Sequence, residues 1–129
     1  MFGKSYLLDC YGVSPDKCDS MELAYRFAEE LVDKIKMTLF GSIIVIHAPR
    51  KNGEEVYKSK AGITCFAPLI ESSIVLHTLS ETGFISLDVY SCAPYDPRTV
   101  FEFAKQTYDF TDYEESVVHR GINYGLASK

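Results

Sequence analysis

Residues 71–78 bring a possible nucleophile and a possible base into one short apolar stretch. Glu71 is followed by Ser72, and His77 comes five residues later, in a run that otherwise has the composition of a buried strand. Polar groups in such a strand cost free energy unless something satisfies or uses them. The Ser72 hydroxyl could attack the carbonyl carbon of Glu71 if the backbone is strained and the oxyanion is hydrogen-bonded. The acyl group would then move from nitrogen to oxygen, and the chain could open between residues 71 and 72.

Each of these residues also has a simpler interpretation. A serine in a strand is more often a packed residue or part of a bulge, and a lone histidine is more often hydrogen-bonded in a core. Cys92, which has no CxxC partner, could be a small buried hydrophobe. In an extended chain residues 72 and 77 lie about 16 Å apart, so His77 reaches Ser72 only if the chain turns between them. We expect a β pair around the Glu71-Ser72 bond, in which a tight turn around Ser72 and Ser73 would allow the two sides to pair.

A wider set of residues carries a resemblance to a known family. The spacing resembles that of the pyruvoyl-dependent S-adenosylmethionine decarboxylases, in their short bacterial form, at Thr64, Glu71-Ser72, His77-Thr78, Glu81, Gly83 and Cys92. The segment Tyr6-Leu7-Leu8-Asp9-Cys10-Tyr11-Gly12 and the helix start Asp96-Pro97 extend the resemblance over most of the chain.

The resemblance implies roles for the matching residues. It implies a proenzyme that cuts itself between Glu71 and Ser72 and converts Ser72 into a pyruvoyl cofactor, which forms a Schiff base with the substrate amine in place of PLP. It implies that His77 and Thr64 act in this self-processing. Cys92 would donate a proton to the substrate Cα after CO₂ leaves, which suits a thiol whose pKa lies not far above neutrality.

Two departures from the family pattern bear on the substrate. Members commonly have His after the reactive Ser and Trp-Pro-Glu after His-Thr, whereas this chain has Ser73 and Leu79-Ser80-Glu81. Glu81 matches an acid that binds substrate in the family. Leu79 replaces an aromatic ring that lies near the substrate. Losing that ring weakens stacking on adenine or contact with a sulfonium by about 1 kcal/mol each.

Three functions stay open on these residues. The first is decarboxylation of S-adenosylmethionine in polyamine biosynthesis, and the second is the same chemistry on L-arginine or L-ornithine. The third is a catalytically silent paralogue that regulates a partner, which would explain Ser73 and Leu79 but not Ser72, His77 and Cys92.

Composition bounds the class of protein. With 129 residues, 47% apolar and 24% charged, the chain is expected to form one domain, residues 1–129, without a membrane span. The net charge of −5 argues against nucleic acid as a partner. The four Cys and three His show no metal-ligand spacing, so we expect no metal. The N-terminus lacks a signal pattern, which predicts a cytoplasmic protein.

The pattern of elements predicts an α+β fold. Strands are expected at 4–12, 41–48, 62–70, 74–78, 84–91 and 113–119, and helices at about 20–36, with Asp19 opening a capping box, and from Asp96-Pro97 to Tyr108. Asn52-Gly53 carries a turn signal. These elements predict an antiparallel sheet with two helices packed on one face. The resemblance implies a four-stranded sheet and a homodimer of processed protomers.

Overall fold

The computed structural model describes residues 1–50 and 60–125, so the predicted Asn52-Gly53 turn lies outside the described residues. Six strands and three helices lie in these two ranges. In chain order they are β1 (Gly3–Tyr11), α1 (Pro15–Cys18), α2 (Met21–Lys34), β2 (Ile44–Ala48), β3 (Gly62–Leu69), β4 (Ser72–Leu79), β5 (Phe84–Ser91), α3 (Pro97–Tyr108) and β6 (Asp112–Arg120).

The strands form one antiparallel sheet in the order β2-β3-β4-β5-β1-β6. This arrangement confirms the α+β fold class and the six strands that the sequence pattern predicts. The four strands implied by the family resemblance are too few, because β2 and β6 extend the sheet at its two edges. β4 lies inside the sheet, hydrogen-bonded to β3 on one side and to β5 on the other.

Alternation along the strands separates a core face from an open face. On β5 the predicted apolar positions Ile85, Leu87 and Val89 are all buried against the helices. The alternate side chains point to the opposite face of the sheet, which we call the open face. None of the three helices in the described ranges covers the open face, and large apolar side chains there are exposed, including Ile44, Ile46 and Phe66.

The helix starts differ from those predicted. Ser14-Pro15 does more than end β1, because Ser14 caps the one-turn helix α1 with Pro15 at its first position. The N-cap of α2 is Ser20, whose hydroxyl accepts from the Leu23 N–H, so the prediction of Asp19 was wrong. Asp19 ends α1 instead, and its carboxylate lies 3.2 Å from the His47 ring.

Two further features concern the part of the chain that the structure describes. No helix there is long and apolar enough to cross a membrane. Within the same residues, no three side chains of His, Cys, Asp or Glu are grouped closely enough to hold a metal ion.

Candidate active site

The bond between Glu71 and Ser72 lies at the end of the hairpin that joins β3 to β4. Leu69 pairs with Ser72 across the ladder, which leaves Ile70 and Glu71 as a two-residue loop. Glu71 has a φ of 56°, a left-handed conformation that costs a residue with a side chain about 1–2 kcal/mol. The turn comes before Ser72 rather than around Ser72 and Ser73 as predicted. The reason is that both serines already belong to the β4 ladders.

The Ser72 hydroxyl has a fixed partner on the next strand. Ser72 lies opposite Ser91 of β5, and its Oγ donates a hydrogen bond to Ser91 Oγ at 2.7 Å. Ser91 is buried, accepts from the Ala93 N–H at 2.9 Å and donates to Met37 Sδ at 3.2 Å. Neither a serine hydroxyl nor a thioether is a base at neutral pH. Ser91 therefore orients the Ser72 hydroxyl but cannot take its proton.

The Glu71 side chain contacts Cys92, which follows the last residue of β5. Cys92 Sγ donates a hydrogen bond to Glu71 Oε2 at 3.1 Å. This bond to a carboxylate is the main cause that raises the pKa of the Cys92 thiol above its usual value. In the uncut chain the thiol therefore differs from the near-neutral group that we expected from the sequence. We call Glu71, Ser72, Ser91 and Cys92 the hairpin-end group.

His77 and Thr64 form a second group on the open face. They are directly opposite in the β3–β4 ladder, and His77 Nδ1 lies 3.2 Å from Thr64 Oγ1 in hydrogen-bond contact. Both side chains are exposed. We call them the open-face pair.

The open-face pair does not reach Ser72 of the same chain. β4 is one continuous strand from Ser72 to Leu79, so the turn that would bring His77 back to Ser72 is absent from it. Five steps of about 3.3 Å separate Ser72 and His77 by about 16 Å. Their odd separation also directs the two side chains to opposite faces of the sheet.

Thr78 fixes β4 beside His77. Its hydroxyl accepts from the Ile63 N–H at 2.9 Å and donates to the Cys18 carbonyl at 2.5 Å, and the side chain is buried. These two bonds tie β4 both to β3 and to the end of α1. They explain physically why a hydroxyl residue follows His77.

A groove of ≈ 510 Å³ crosses the open face near both groups. Its lining includes Ser73, the neighbour of Ser72, together with Asp88 and Arg120. Burial raises the pKa of the Asp88 carboxyl, and Asp9 raises it further, while the charges of His77 and Arg120 oppose that shift. The groove therefore carries both signs of charge among apolar side chains such as Leu7, Val75 and Val118.

The two residues predicted to contact substrate lie at the far end of β4. Leu79 is the last residue of the strand and is half-buried, and Glu81 is exposed in the turn that leads to β5. Seven steps along the strand put Leu79 about 23 Å from Ser72. The predicted site residues thus separate into members of the hairpin-end group and a distant set, which consists of Thr64, His77, Leu79 and Glu81.

Sequence reasoning missed two contacts in the hairpin-end group, the Ser91 hydroxyl on Ser72 and the Glu71 carboxylate on Cys92. A signal for the first existed, because the alternation of β5 puts Ser91 on the same buried face as Val89, where a hydroxyl needs a partner. No comparable signal marked the second, since it joins a loop residue to one twenty-one positions later.

Comparison with known proteins agrees with this geometry. A family model described as S-adenosylmethionine decarboxylase matches residues 4–121. The S-adenosylmethionine decarboxylase proenzyme of Archaeoglobus fulgidus is 25% identical over 120 residues, covering 92% of this chain and 97% of that protein. The proenzyme of the same name from Shouchella clausii is 24% identical over 127 residues, covering 93% and 85%.

A solved structure supports the same assignment. The crystal structure of the adenosylmethionine decarboxylase from Aquifex aeolicus superposes with a TM-score of 0.78 at 25% identity, covering 94% of this chain and 92% of that one. The chain belongs to the S-adenosylmethionine decarboxylase family, whose members are pyruvoyl-dependent lyases.

Proposed function

We propose that this chain is a self-cleaving, pyruvoyl-dependent decarboxylase of S-adenosylmethionine. The observation that carries the proposal is the Glu71-Ser72 bond. It joins a residue in a strained left-handed conformation to a serine whose hydroxyl is already held by Ser91. Family membership supplies the reaction class, and the hairpin-end group supplies residues that fit it.

Cleavage can be written with every atom accounted for. Ser72 Oγ attacks the Glu71 carbonyl carbon, and the hydroxyl proton passes to the Ser72 nitrogen. The C–N bond then breaks, which leaves a free amine on residue 72 and an ester to Glu71. A base then removes the proton from Cα of residue 72, and Glu71 leaves as a carboxylate. The dehydroalanine that remains takes up water and loses ammonia, which leaves a pyruvoyl group at the start of β4.

The backbone strain at Glu71 alone cannot drive these cleavage reactions. Releasing about 1–2 kcal/mol at Glu71 accelerates the first step by about 5- to 30-fold. A positioned general base typically contributes about 10²–10⁴-fold. Elimination therefore depends more on a base than on the strained turn, and the hairpin-end group has no histidine among its four members.

We propose that a second copy of the chain provides that base. The open-face pair lies too far from Ser72 of its own chain, whereas two sheets packed face to face are about 10 Å apart. A two-fold axis that lies between the two sheets, parallel to them and perpendicular to β4, runs the two β4 strands in opposite directions. It brings His77 and Thr64 of one copy, and Glu81 with them, toward the open-face side of residue 72 in the other. His77 then approaches the Cα proton of residue 72, while the Ser72 hydroxyl stays with Ser91 on the core face.

The open face has the surface that such a dimer needs. Ile44, Ile46 and Phe66 expose 50%, 61% and 37% of their surface there, which is costly for a face left in water. The same face carries the groove, whose mostly apolar lining includes Ser73, Asp88 and Arg120. An apolar area beside a groove that holds a few polar and charged groups suits an interface that encloses a site.

A pyruvoyl group formed from Ser72 would supply a carbonyl able to bond the substrate amine and to accept the electrons released with CO₂. Ser72 is the first residue of β4. It lies across from Ser91 and close to Cys92, so the group would form next to the proposed proton donor. The Cys92 thiol donates the proton that replaces CO₂ on the substrate. Glu81 of the second copy binds a hydroxyl or a cationic group of the substrate, and Leu79 lies beside it.

The mass of the purified protein tests the self-cleavage. Denaturing mass spectrometry should give two fragments that meet at residues 71 and 72, with the C-terminal fragment carrying a pyruvoyl group in place of serine. A single intact mass after long incubation would contradict the proposal and favour the silent regulatory paralogue.

Release of CO₂ tests the substrate. Cut protein should release CO₂ from S-adenosylmethionine faster than from L-arginine or L-ornithine. The reverse order would assign the same chemistry to a cationic amino acid, which the aliphatic Leu79 would favour over an adenosyl group.

A further inference from the structure

Glu71 has a left-handed backbone conformation, which is strained for any residue that has a side chain. At a φ of 56°, glycine would avoid the strain that a residue with a Cβ suffers. The residue present is instead a long acid, and its carboxylate reaches Cys92 with an Sγ to Oε2 distance of 3.1 Å. A charged acceptor makes a stronger bond to a thiol than a neutral one does. The side chain therefore does more than form the turn.

Charged groups from the neighbouring elements do not oppose this contact. Lys4 of β1 lies opposite Ser91, but its ammonium donates to the Tyr95 carbonyl at 2.6 Å and lies over the Tyr95 ring. Within the described ranges, Glu71 is the one ionisable side chain that shifts the pKa of the Cys92 thiol. It raises this pKa and so favours the protonated thiol.

We infer that Glu71 is a positioning residue that holds the Cys92 thiol, protonated, until the chain is cut. The inference rests on the proposed function, because it concerns the group that later donates the proton. While the chain is intact, the turn fixes the Glu71 backbone on both sides. After cleavage Glu71 is the last residue of the N-terminal fragment, and only the Ile70 side of its backbone is still bonded. The carboxylate can then leave the thiol exposed to the new site.

The test measures how fast Cys92 reacts with iodoacetamide at a series of pH values. Ser72→Ala keeps the chain uncut, so the measurement does not depend on self-cleavage. Peptide mapping by mass spectrometry identifies Cys92. The other three cysteines serve as internal controls for folding because they are buried, which raises the pKa of Cys10 to about 12 and those of Cys18 and Cys65 to about 11.

Removing the carboxylate should make the thiol more acidic. Adding Glu71→Gln to Ser72→Ala should move the midpoint of Cys92 alkylation to lower pH and raise its rate at pH 8 roughly threefold or more, since the thiolate is the reactive form. Glu71→Asp should move the midpoint less. Glu29→Gln, which removes an exposed carboxylate from α2, is the matched control and should leave the profile unchanged.

Two results would overturn the inference. Identical profiles for Ser72→Ala with and without Glu71→Gln would show that the carboxylate does not act on the thiol. An equal midpoint in cut wild-type protein and in uncut Ser72→Ala would show that cleavage does not release it. Failure of the proposed function gives a different signature, a single intact mass for the wild-type chain, and leaves the comparison of uncut variants valid.

Discussion

The hairpin-end group and the open-face pair are built in opposite ways, although β4 runs through both. At the hairpin end the backbone is strained at Glu71 and the Ser72 hydroxyl is held by a buried neighbour. At the open face the strand is regular, and Thr64 and His77 are exposed to solvent with only each other as side-chain partner in the hydrogen bonds described. One group has a nucleophile without a base, and the other has a base without a nucleophile.

This difference suggests how a chain of 129 residues can carry a complete reaction site. A residue that reacts must be pre-positioned, so it lies where the hairpin and β5 restrict it. In the proposed dimer, a residue that acts on the second copy must be accessible before the two copies meet, which fits the position of His77 on the uncovered face.

The largest effect is expected from removing the nucleophile. Ser72→Ala should abolish both cleavage and decarboxylation, because alanine can neither attack the Glu71 carbonyl nor become a pyruvoyl group. Denaturing mass spectrometry and CO₂ release measure the two losses. Ser73→Ala removes the adjacent hydroxyl and should still be cut. Decarboxylation by uncut Ser72→Ala protein would refute the pyruvoyl mechanism.

Removing the base should stop the reaction at a different point. His77→Ala should form the ester at residue 72 but eliminate it about 10²–10⁴-fold more slowly, the usual contribution of a general base. Hydroxylamine cleaves esters and should therefore cut the stalled chain between residues 71 and 72. Because His77 is exposed, folding should be unaffected, which circular dichroism checks. A stalled chain that resists hydroxylamine would remove His77 from this role.

A smaller effect is expected at the residue that orients the nucleophile. Ser91→Ala removes one neutral hydrogen bond from Ser72, worth about 0.5–1.5 kcal/mol, so cleavage should slow by roughly 2- to 10-fold. Ser91→Thr keeps the hydroxyl and should cut at nearly the wild-type rate. Time courses of fragment formation measure both. Equal rates for alanine and threonine would mean that Ser72 needs no partner on β5.

The smallest effect concerns the substrate. Leu79→Trp places an aromatic ring where the family commonly has one, and stacking on adenine is worth about 1 kcal/mol. The ratio of kcat/KM for S-adenosylmethionine to that for L-arginine should rise by about fivefold. Leu79→Met changes the side chain without adding a ring and should leave the ratio unchanged. An unchanged ratio in both variants would place residue 79 outside the substrate pocket.

The strands and α3 could be predicted from the sequence because their signals are local. The alternation at Ile85, Leu87 and Val89 and the Asp96-Pro97 start depend on neighbours within one element. Helix α1 was missed because a single turn at Ser14-Pro15 leaves no periodic pattern. The start of α2 was placed one residue early because Asp19 and Ser20 are both good caps, and only the tertiary pairing of Asp19 with His47 decides between them.

The site was harder to predict than the fold. The resemblance to the family identified the residues Thr64, Ser72, His77 and Cys92, but the position of the turn decides which of them meet. Glu71 is not a residue that favours a left-handed turn, so nothing local predicted the loop at Ile70-Glu71 rather than at Ser72-Ser73. Once the turn is placed, the 16 Å gap between Ser72 and His77 follows from strand geometry.

Mixed dimers test most directly whether two copies share each site. A tagged His77→Ala chain keeps Ser72, and an untagged Ser72→Ala chain keeps His77, so neither should be cut when expressed alone. Co-expressed and purified through the tag, a mixed dimer has one site with both residues intact. Mass spectrometry should then find the tagged chain cut between residues 71 and 72. A tagged chain that stays intact in purified mixed dimers would contradict a site built from two copies.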